Sequence, residues 1–181
     1  MRLENKVALI TGAAAGIPGE LMGFGGTSAW AFVKEGAKVV LTDLNDELGE
    51  RSAAAIREAG GDAQYFHLDV TDSSQWVSVM ESTMSAFGEL NVLVNNAGTG
   101  ARFNVEETTE EIWDQQMDVH AKGVFLGTRQ AIAPMRQAGG GSIINVSSIY
   151  GIVGSPASTA YHAAKGAIRT FSKAAAVQYA A

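Results

Sequence analysis

Short apolar runs alternate with longer amphipathic segments along the chain, and this alternation constrains the fold more than any other feature. The apolar runs cover residues 7–10, 38–41, 63–68, 92–94 and 142–146. They lack the period-two alternation of a half-exposed strand, which is typical of parallel strands buried on both faces. The pattern therefore predicts five strands of one covered sheet.

Helical patterns separate these runs, at about residues 26–35, 46–59, 72–87, 109–138 and 158–180. Three of the helices are followed by Gly36, Gly60 and Gly88, which suit left-handed caps. Strands and helices in this order predict a three-layer α/β/α domain with a doubly wound parallel sheet and right-handed crossovers. We expect residues 1–181 to form one such domain.

The last helical pattern is still running where the sequence stops. A doubly wound sheet of the Rossmann-like, dinucleotide-binding type usually has six strands, and five are predicted here. We therefore expect the chain to lack the C-terminal strands of such a sheet, which would leave the fifth strand as an unpaired edge.

Composition excludes several functional classes. The absence of Cys excludes a disulfide framework, a thiolate metal site and a catalytic thiol, and it fits a reducing compartment. A net charge of -6 argues against nucleic-acid and anionic membrane partners. The charged start of the chain and the short run after it fit neither a signal peptide nor a membrane span, so we expect a cytoplasmic protein. We expect no metal site, because neither His67 nor His162 has further ligands at suitable spacing.

The first strand leads into a glycine-containing turn with Gly12 and Gly16. Such a turn brings backbone amides against a pyrophosphate at a helix N-terminus, although a plain strand-to-helix turn explains two glycines equally well. Asp43 falls just past the second strand, where a carboxylate can accept both hydroxyls of an adenosine ribose and repel a 2′-phosphate. Its neighbours Thr42 and Leu44 are not basic, which favours NAD over NADP. A helix cap or turn role is the alternative for Asp43.

Tyr161 and Lys165 lie one helical turn apart, so both side chains project from the same helix face. An ammonium close to a phenol favours the phenolate form of a group whose ordinary pKa is about 10. The pair therefore suits a general acid/base for an alcohol and its ketone. An exposed helix face is the alternative interpretation of the same spacing.

Together these residues resemble the short-chain dehydrogenase/reductase family. The matching motifs are Thr11-Gly12-x-x-x-Gly16, Asp69-Val70, Asn95-Asn96-Ala97-Gly98, Ser148 and Tyr161-x-x-x-Lys165, in that order along nearly the whole chain. The resemblance implies a cofactor site in which Gly12, Gly16 and Ile17 line the pyrophosphate turn and Asp43 holds the adenosine ribose. It also implies that Asp69 and Val70 meet the adenine, and that Asn96, Ala97 and Gly98 lie under the cofactor.

The resemblance further implies an NAD-dependent oxidoreductase that interconverts a secondary alcohol and a ketone. Ser148 would bind the substrate oxygen, and Tyr161 would exchange the proton. Lys165 would hold the nicotinamide ribose and favour the phenolate. Helices 109–138 and 158–180 would pair across a homo-oligomer, a dimer or tetramer, although simple packing on the sheet also explains them.

The chain departs from the family pattern at two places within this match. Pro18 stands where the third glycine is expected, and residues 18–24 read as an insertion before Gly25. Proline has no amide hydrogen for a phosphate, so Gly25 or Gly19 takes the third glycine's role, or the insertion covers the cofactor site. His120 replaces the usual Asn of the catalytic group, where it would keep a main-chain carbonyl contact and add a titratable ring.

Three alternative functions remain open from the sequence. One is a catalytically inactive, truncated or divergent dinucleotide-fold protein. Another is an NADPH-dependent reductase of 3-oxoacyl thioesters, which Asp43 disfavours. A sugar epimerase also uses Tyr-x-x-x-Lys, but the stretch from Asn95 to Gly98 fits the dehydrogenases better.

Overall fold

Five strands form one parallel sheet in the computed structural model, which describes residues 1–180. The strands are β1 (Val7–Thr11), β2 (Lys38–Asp43), β3 (Ala63–His67), β4 (Val92–Asn95) and β5 (Ser142–Asn145). Their order across the sheet is β3-β2-β1-β4-β5. The chain thus winds outward from β1 in both directions, which confirms the predicted doubly wound topology.

Among the residues that the structure describes, six α-helices connect and cover the strands. They are α1 (Phe24–Lys34), α2 (Asp46–Glu58), α3 (Ser73–Phe87), α4 (Glu110–Gln116), α5 (Gly123–Gln137) and α6 (Thr159–Tyr179). Gly36, Gly60 and Gly88 follow their helices with φ of +92°, +87° and +80°, the left-handed conformation expected of caps. All β-strand pairings are parallel, so the carboxyl ends of the strands meet at one edge of the sheet.

The hydrophobic core divides into two clusters on opposite faces of the sheet. Ile10 of β1 belongs to the cluster that includes Ile56 of α2. The adjacent Leu9 belongs to the other cluster, with Trp76 of α3 and Leu126 of α5. Successive strand residues point to opposite faces, so this division produces the three predicted layers.

The structure differs from the predicted helix at 109–138 in one respect. A π-helical segment, Met117–Lys122, separates α4 from α5 and carries His120. Such wide turns often occur at functional sites, and nothing in the hydrophobic pattern distinguishes them from an α-helix. The first helix also begins earlier than predicted, at Phe24, with Gly23 as its N-cap.

Within residues 1–180, no helix has both the length and the apolar character that crossing a bilayer requires. That part of the chain also contains no group of three His, Asp or Glu side chains arranged to hold a metal ion.

Candidate active site

Two adjoining crevices lie across the carboxyl ends of the strands. One, of about 490 Å³, is lined by Gly12, Asp43 and Asp69, among others. The second, of about 660 Å³, is lined by residues that include Tyr161 and Lys165. We call them the carboxylate crevice and the tyrosine crevice. Four residues line both and join them: Phe24, Asn96, Gly98 and Thr99.

The turn after β1 is fixed to the end of β4 by hydrogen bonds. Asn96 donates from Nδ2 to the carbonyls of Thr11 (2.8 Å) and Gly12 (3.0 Å). The Thr11 hydroxyl accepts from the amides of Asn96 (3.0 Å) and Ala97 (2.9 Å). Gly12 has φ of +66°, and a Cβ there would lie 2.7 Å from the Ala97 Cα. Glycine is therefore required for this close approach of the two strand ends.

Gly16 and Ile17, which the sequence assigns to the pyrophosphate turn, do not line either crevice. The Gly16 amide donates to the Ser52 hydroxyl (3.1 Å), and its carbonyl accepts from Trp30 Nε1 (2.6 Å). Neither Gly16 nor Ile17 is among the lining residues of either crevice. The Gly16 amide is thus shared between the Ser52 hydroxyl and the Ala14 carbonyl (2.9 Å).

Gly25, rather than Gly19, makes the close contact expected of the third glycine. A Cβ on Gly25 would collide with the Gly12 carbonyl and lie 2.8 Å from Asn96 Nδ2, whereas a Cβ on Gly19 would meet nothing. The first hydrogen bond of α1 runs from the Thr27 amide to the Gly23 carbonyl (2.9 Å). The first amides of α1 therefore have no partner within the helix and lie beside the turn.

Residues 18–24, which the sequence pattern suggests are an insertion, leave both crevices open. Glu20 pairs with Arg51 of α2 at 3.1 Å, so this part of the loop lies beside α2. Phe24 is the one residue of this segment that lines the crevices, and it is 85% exposed. Sequence reasoning did not single out Phe24, although its place directly before Gly25 was a usable signal.

Asp43 projects from the end of β2 into the carboxylate crevice. Its Oδ2 accepts from the Ala14 amide (3.0 Å), and its Oδ1 accepts from the Leu44 amide (2.8 Å). The Tyr65 hydroxyl donates to the Asp43 carbonyl (2.8 Å). Asp43 is thus both a turn residue and a crevice residue, so the two interpretations of its carboxylate are compatible.

Asp69 and Val70 follow β3 and line the same crevice. The Asp69 carboxylate accepts from the Thr71 amide and hydroxyl, both at 2.8 Å. Val70 is buried, and a Cβ on Gly123 would come within 3.0 Å of its side chain. Ala97 and Gly98 complete the floor of the crevice after β4.

Tyr161 and Lys165 lie together on α6, as their spacing predicts. The Lys165 ammonium is 5.6 Å from the centroid of the Tyr161 ring and donates to the Val146 carbonyl (2.8 Å). Lys165 is 4% exposed, and burial lowers its pKa to about 8. The side chain therefore remains mostly protonated at neutral pH, with its charge beside the phenol.

Ser148 lies in the loop after β5 and lines the tyrosine crevice. Its hydroxyl oxygen accepts from the Tyr150 amide (3.2 Å), which leaves the hydroxyl hydrogen available to another acceptor. The preceding Ser147 donates to the Lys165 carbonyl (2.8 Å) and so ties this loop to α6. Ser148, Tyr161 and Lys165 are thereby brought together in one crevice.

His120 contacts Tyr161 edge-on, with ring centroids 5.2 Å apart and planes at 88°. Its Nε2 is 2.8 Å from the Thr99 carbonyl, and the side chain is buried. Burial first, and then the charge of Lys165, lower the pKa of His120 to about 4. The ring is therefore neutral at physiological pH, and we assign its hydrogen to Nε2, where Thr99 accepts it.

Two further residues, Ser158 and Tyr150, line the tyrosine crevice, and no sequence pattern predicts their place there. Ser158 is buried and has φ of +72°, which is uncommon for a residue with a side chain and occurs most often at functional sites. Tyr150 lines the tyrosine crevice and stacks on His162 with centroids 4.6 Å apart. His162 thus packs against an aromatic ring, and His67 pairs with Asp46 at 2.7 Å.

The crevices fit a dinucleotide. Gly12 and Gly25 allow the backbone of the turn to approach a ligand closely, and the free amides at the start of α1 suit a pyrophosphate. Asp43 supplies a carboxylate at the end of the neighbouring strand, as ribose binding requires.

Comparison with known proteins agrees with this geometry. The short chain dehydrogenase family model matches residues 6–181. The chain is 45% identical over 179 residues to cyclopentanol dehydrogenase of a Comamonas species, covering 99% of this chain and 69% of that protein. It is 43% identical over 181 residues to the NADP-dependent (R)-specific alcohol dehydrogenase of Lentilactobacillus kefiri, covering 99% and 68%.

A solved structure has the same fold. The crystal structure of a putative short-chain dehydrogenase/reductase from Burkholderia xenovorans matches with a TM-score of 0.92 and 33% identity, over 99% of this chain and 71% of that one. Members of the matched family use nicotinamide dinucleotides as cofactors. The chain therefore belongs to the short-chain dehydrogenase/reductase family and is an oxidoreductase.

Proposed function

We propose that the protein interconverts a secondary alcohol and its ketone with NAD, using Tyr161 as the general acid/base. The observation that carries this proposal is the position of the Lys165 ammonium, 5.6 Å from the centroid of the Tyr161 ring, in a crevice that adjoins the proposed dinucleotide site. A buried cation beside a phenol stabilises the charge that the phenol acquires when it gives up its proton.

Three side chains share the proton chemistry in this proposal. In oxidation, Tyr161 accepts the proton of the substrate hydroxyl, and in reduction it returns that proton to the ketone oxygen. Ser148 donates a hydrogen bond from its free hydroxyl to the same substrate oxygen and holds that oxygen in place. The bound dinucleotide supplies the hydride chemistry. Lys165 keeps its charge near Tyr161 through the hydrogen bond to Val146.

We assign cofactor binding to residues that line the two crevices or pack the turn between them. They are Gly12, Gly25, Asp43, Asp69, Val70, Asn96, Ala97, Gly98, Tyr161 and Lys165. Phe24 joins this set, since it lines both crevices. Gly16 and Ile17 are left out of this set, because neither of them lines a crevice.

Asp43 supports NAD as the cofactor. A 2′-phosphate on the adenosine ribose would bring negative charge to a carboxylate that is already fixed by the Ala14 and Leu44 amides. The relative from L. kefiri is named as NADP-dependent, so overall similarity does not decide between the two cofactors. The choice therefore depends on the residues at the end of β2.

In this proposal, His120 holds the Tyr161 ring in place and does not itself transfer a proton. The neutral ring holds Tyr161 by an edge-on contact and holds Thr99 by a hydrogen bond. The ring thereby fixes the distance between α6, which carries Tyr161, and the loop after β4. This places an imidazole where the family usually has Asn.

We also propose that the chain forms a homo-oligomer through α5 and α6. Phe125 and Phe171 from these helices contact each other edge-on at 6.3 Å, and Phe125 is 43% exposed. An aromatic pair left partly open on two long helices suits an interface between subunits.

The experiment that tests the function uses purified protein, NAD and a panel of cyclic and aliphatic secondary alcohols. Cyclopentanol is included because one relative is named for it. We expect reduced cofactor to form, detected by its absorbance, and calorimetric titration to show NAD binding. Tight binding of NAD without turnover of any alcohol would favour the non-catalytic alternative.

A further inference from the structure

We propose that the natural substrate is a secondary alcohol that also carries a carboxylate, and that Arg102 binds this carboxylate in the tyrosine crevice. The inference rests on the proposed function, because it assumes that Tyr161 acts on the hydroxyl of the same molecule. It adds a substrate class and a specificity residue to the proposed function. The names of the relatives supply neither.

The charges of the two crevices are opposite. The tyrosine crevice is lined by two cationic side chains, Arg102 and Lys165, and by no Asp or Glu. The carboxylate crevice is lined by Asp43 and Asp69 and by no Lys or Arg. Because the whole chain has a net charge of -6, the cationic crevice is a local exception. Such a crevice attracts anions and repels cations.

Arg102 is the cation of this crevice that is free to bind a substrate. Its guanidinium has no ion pair and no hydrogen bond within residues 1–180. Lys165, in contrast, is buried, donates to the Val146 carbonyl and lies beside Tyr161. A guanidinium offers two parallel N–H donors that match the two oxygens of a carboxylate.

The loop that carries Arg102 is held at both ends against the catalytic groups. At one end, the Thr99 carbonyl lies 2.8 Å from His120 Nε2. At the other, the Phe103 carbonyl accepts from the Thr159 amide (3.0 Å) at the start of α6. The backbone at Arg102 is thus fixed relative to Tyr161, which lies in the first turn of the same helix.

The first turn of α6 adds no competing charge. It contains no acidic residue, and its N-cap residue Ser158 provides no capping side chain. A carboxylate on the substrate would therefore meet no fixed negative charge between Arg102 and Tyr161 among the crevice-lining residues. The substrate that this arrangement calls for carries both a hydroxyl for Tyr161 and a carboxylate for Arg102.

The test compares two secondary alcohols of equal length, one ending in a carboxylate and the other in the uncharged primary amide. We expect the wild-type protein with NAD to prefer the carboxylate by about tenfold in kcat/KM, as a charged hydrogen bond would provide. Arg102→Gln should bring this preference close to one. Arg169→Gln is the matched control, because Arg169 is an exposed arginine of α6 that lines neither crevice. It should retain the full preference.

Two results would overturn the role of Arg102. One is equal kcat/KM for the two alcohols in the wild-type protein. The other is an equal loss on both alcohols in Arg102→Gln, accompanied by a weaker Kd for NAD, which would assign the guanidinium to the cofactor. Raising the ionic strength should reduce a genuine charge preference, because solvent-accessible charges are screened.

A binding measurement separates this inference from the proposed function. Calorimetry of the protein with NADH follows the Kd of the corresponding keto acid and keto amide, without any turnover. If neither alcohol reacts but the keto acid binds about tenfold more tightly and loses this advantage in Arg102→Gln, the proposed function fails and the anion site stands. If both alcohols react equally and both ketones bind equally, the function stands and the anion site fails.

Discussion

The Lys165 ammonium lies 5.6 Å from the centroid of the Tyr161 ring on α6, and the Lys165 side chain is almost fully buried. A buried lysine that must keep its charge imposes a cost on the fold, since burial favours its neutral form. Its single hydrogen bond within residues 1–180, to the Val146 carbonyl, offsets part of this cost. The pair therefore connects the stability of the protein to its proposed chemistry.

Lys165 should make stability depend on pH in a defined window. Burial lowers its pKa from 10.5 to about 8, so between these values the unfolded chain binds more protons. The stability linked to this group is fully present above pH 10.5 and is lost as pH falls through about 8. Between neutral and alkaline pH, we expect the free energy of unfolding of the wild-type protein to rise by up to about 3 kcal/mol relative to that of Lys165→Met. Urea unfolding measures this difference. If the free energies of unfolding of the two proteins changed equally with pH, the burial of a titrating lysine would be contradicted.

His120 should make the fold sensitive to acid. Its pKa falls from 6.5 to about 4, so the stability linked to the neutral ring is present above pH 6.5 and is lost as pH falls through about 4. We expect His120→Asn to lose about 3 kcal/mol less than wild type across this range, since Asn does not titrate. Urea unfolding at several acidic pH values measures the difference. A variant as sensitive to acid as wild type would place the titrating group elsewhere.

Phe24 should contribute directly to cofactor affinity. It is 85% exposed and lines both crevices, so a bound dinucleotide would cover its ring. We expect Phe24→Ala to weaken the Kd of NADH by about tenfold, as the loss of aromatic burial implies. Leu21→Ala is the control, because Leu21 is 96% exposed in the loop just before Phe24 and lines neither crevice. Fluorescence titration measures both variants, and an equal effect of the two would rule out a specific role for Phe24.

Asp43 should determine the choice between NAD and NADP. Removing its carboxylate in Asp43→Ala deletes the ribose acceptor and the charge that repels a 2′-phosphate. We expect the ratio of kcat/KM for NAD to that for NADP to fall by at least about tenfold. Circular dichroism checks that the loop held by this carboxylate still folds. A folded variant with an unchanged ratio would remove Asp43 from cofactor selection.

The sheet and the catalytic pair could be predicted from the sequence because they depend on local spacing. Apolar runs identified all five strands, and one helical turn between Tyr161 and Lys165 placed both side chains on one face. Parallel pairing alone places the carboxyl ends of the strands at one edge of the sheet. These features need no knowledge of distant contacts.

The path of residues 18–24 and the π-helical segment could not be predicted in this way. The Gly16 amide bonds to Ser52 of α2, and Glu20 pairs with Arg51 of the same helix. Both contacts join segments far apart in the chain, and neither has a local signal. The contact of His120 with Thr99 likewise depends on a wide helical turn that has the same apolar pattern as an α-helix.

The most direct test of the acid–base proposal is the turnover of Tyr161→Phe beside its affinity for NADH. The variant keeps the ring that contacts His120 and removes only the hydroxyl. We predict that kcat falls by about a thousandfold while the Kd for NADH stays within about fivefold of wild type, as the loss of a general acid/base implies. Tyr150→Phe, which removes another hydroxyl of the same crevice, should lose far less. Turnover of Tyr161→Phe close to the wild-type rate would contradict the account.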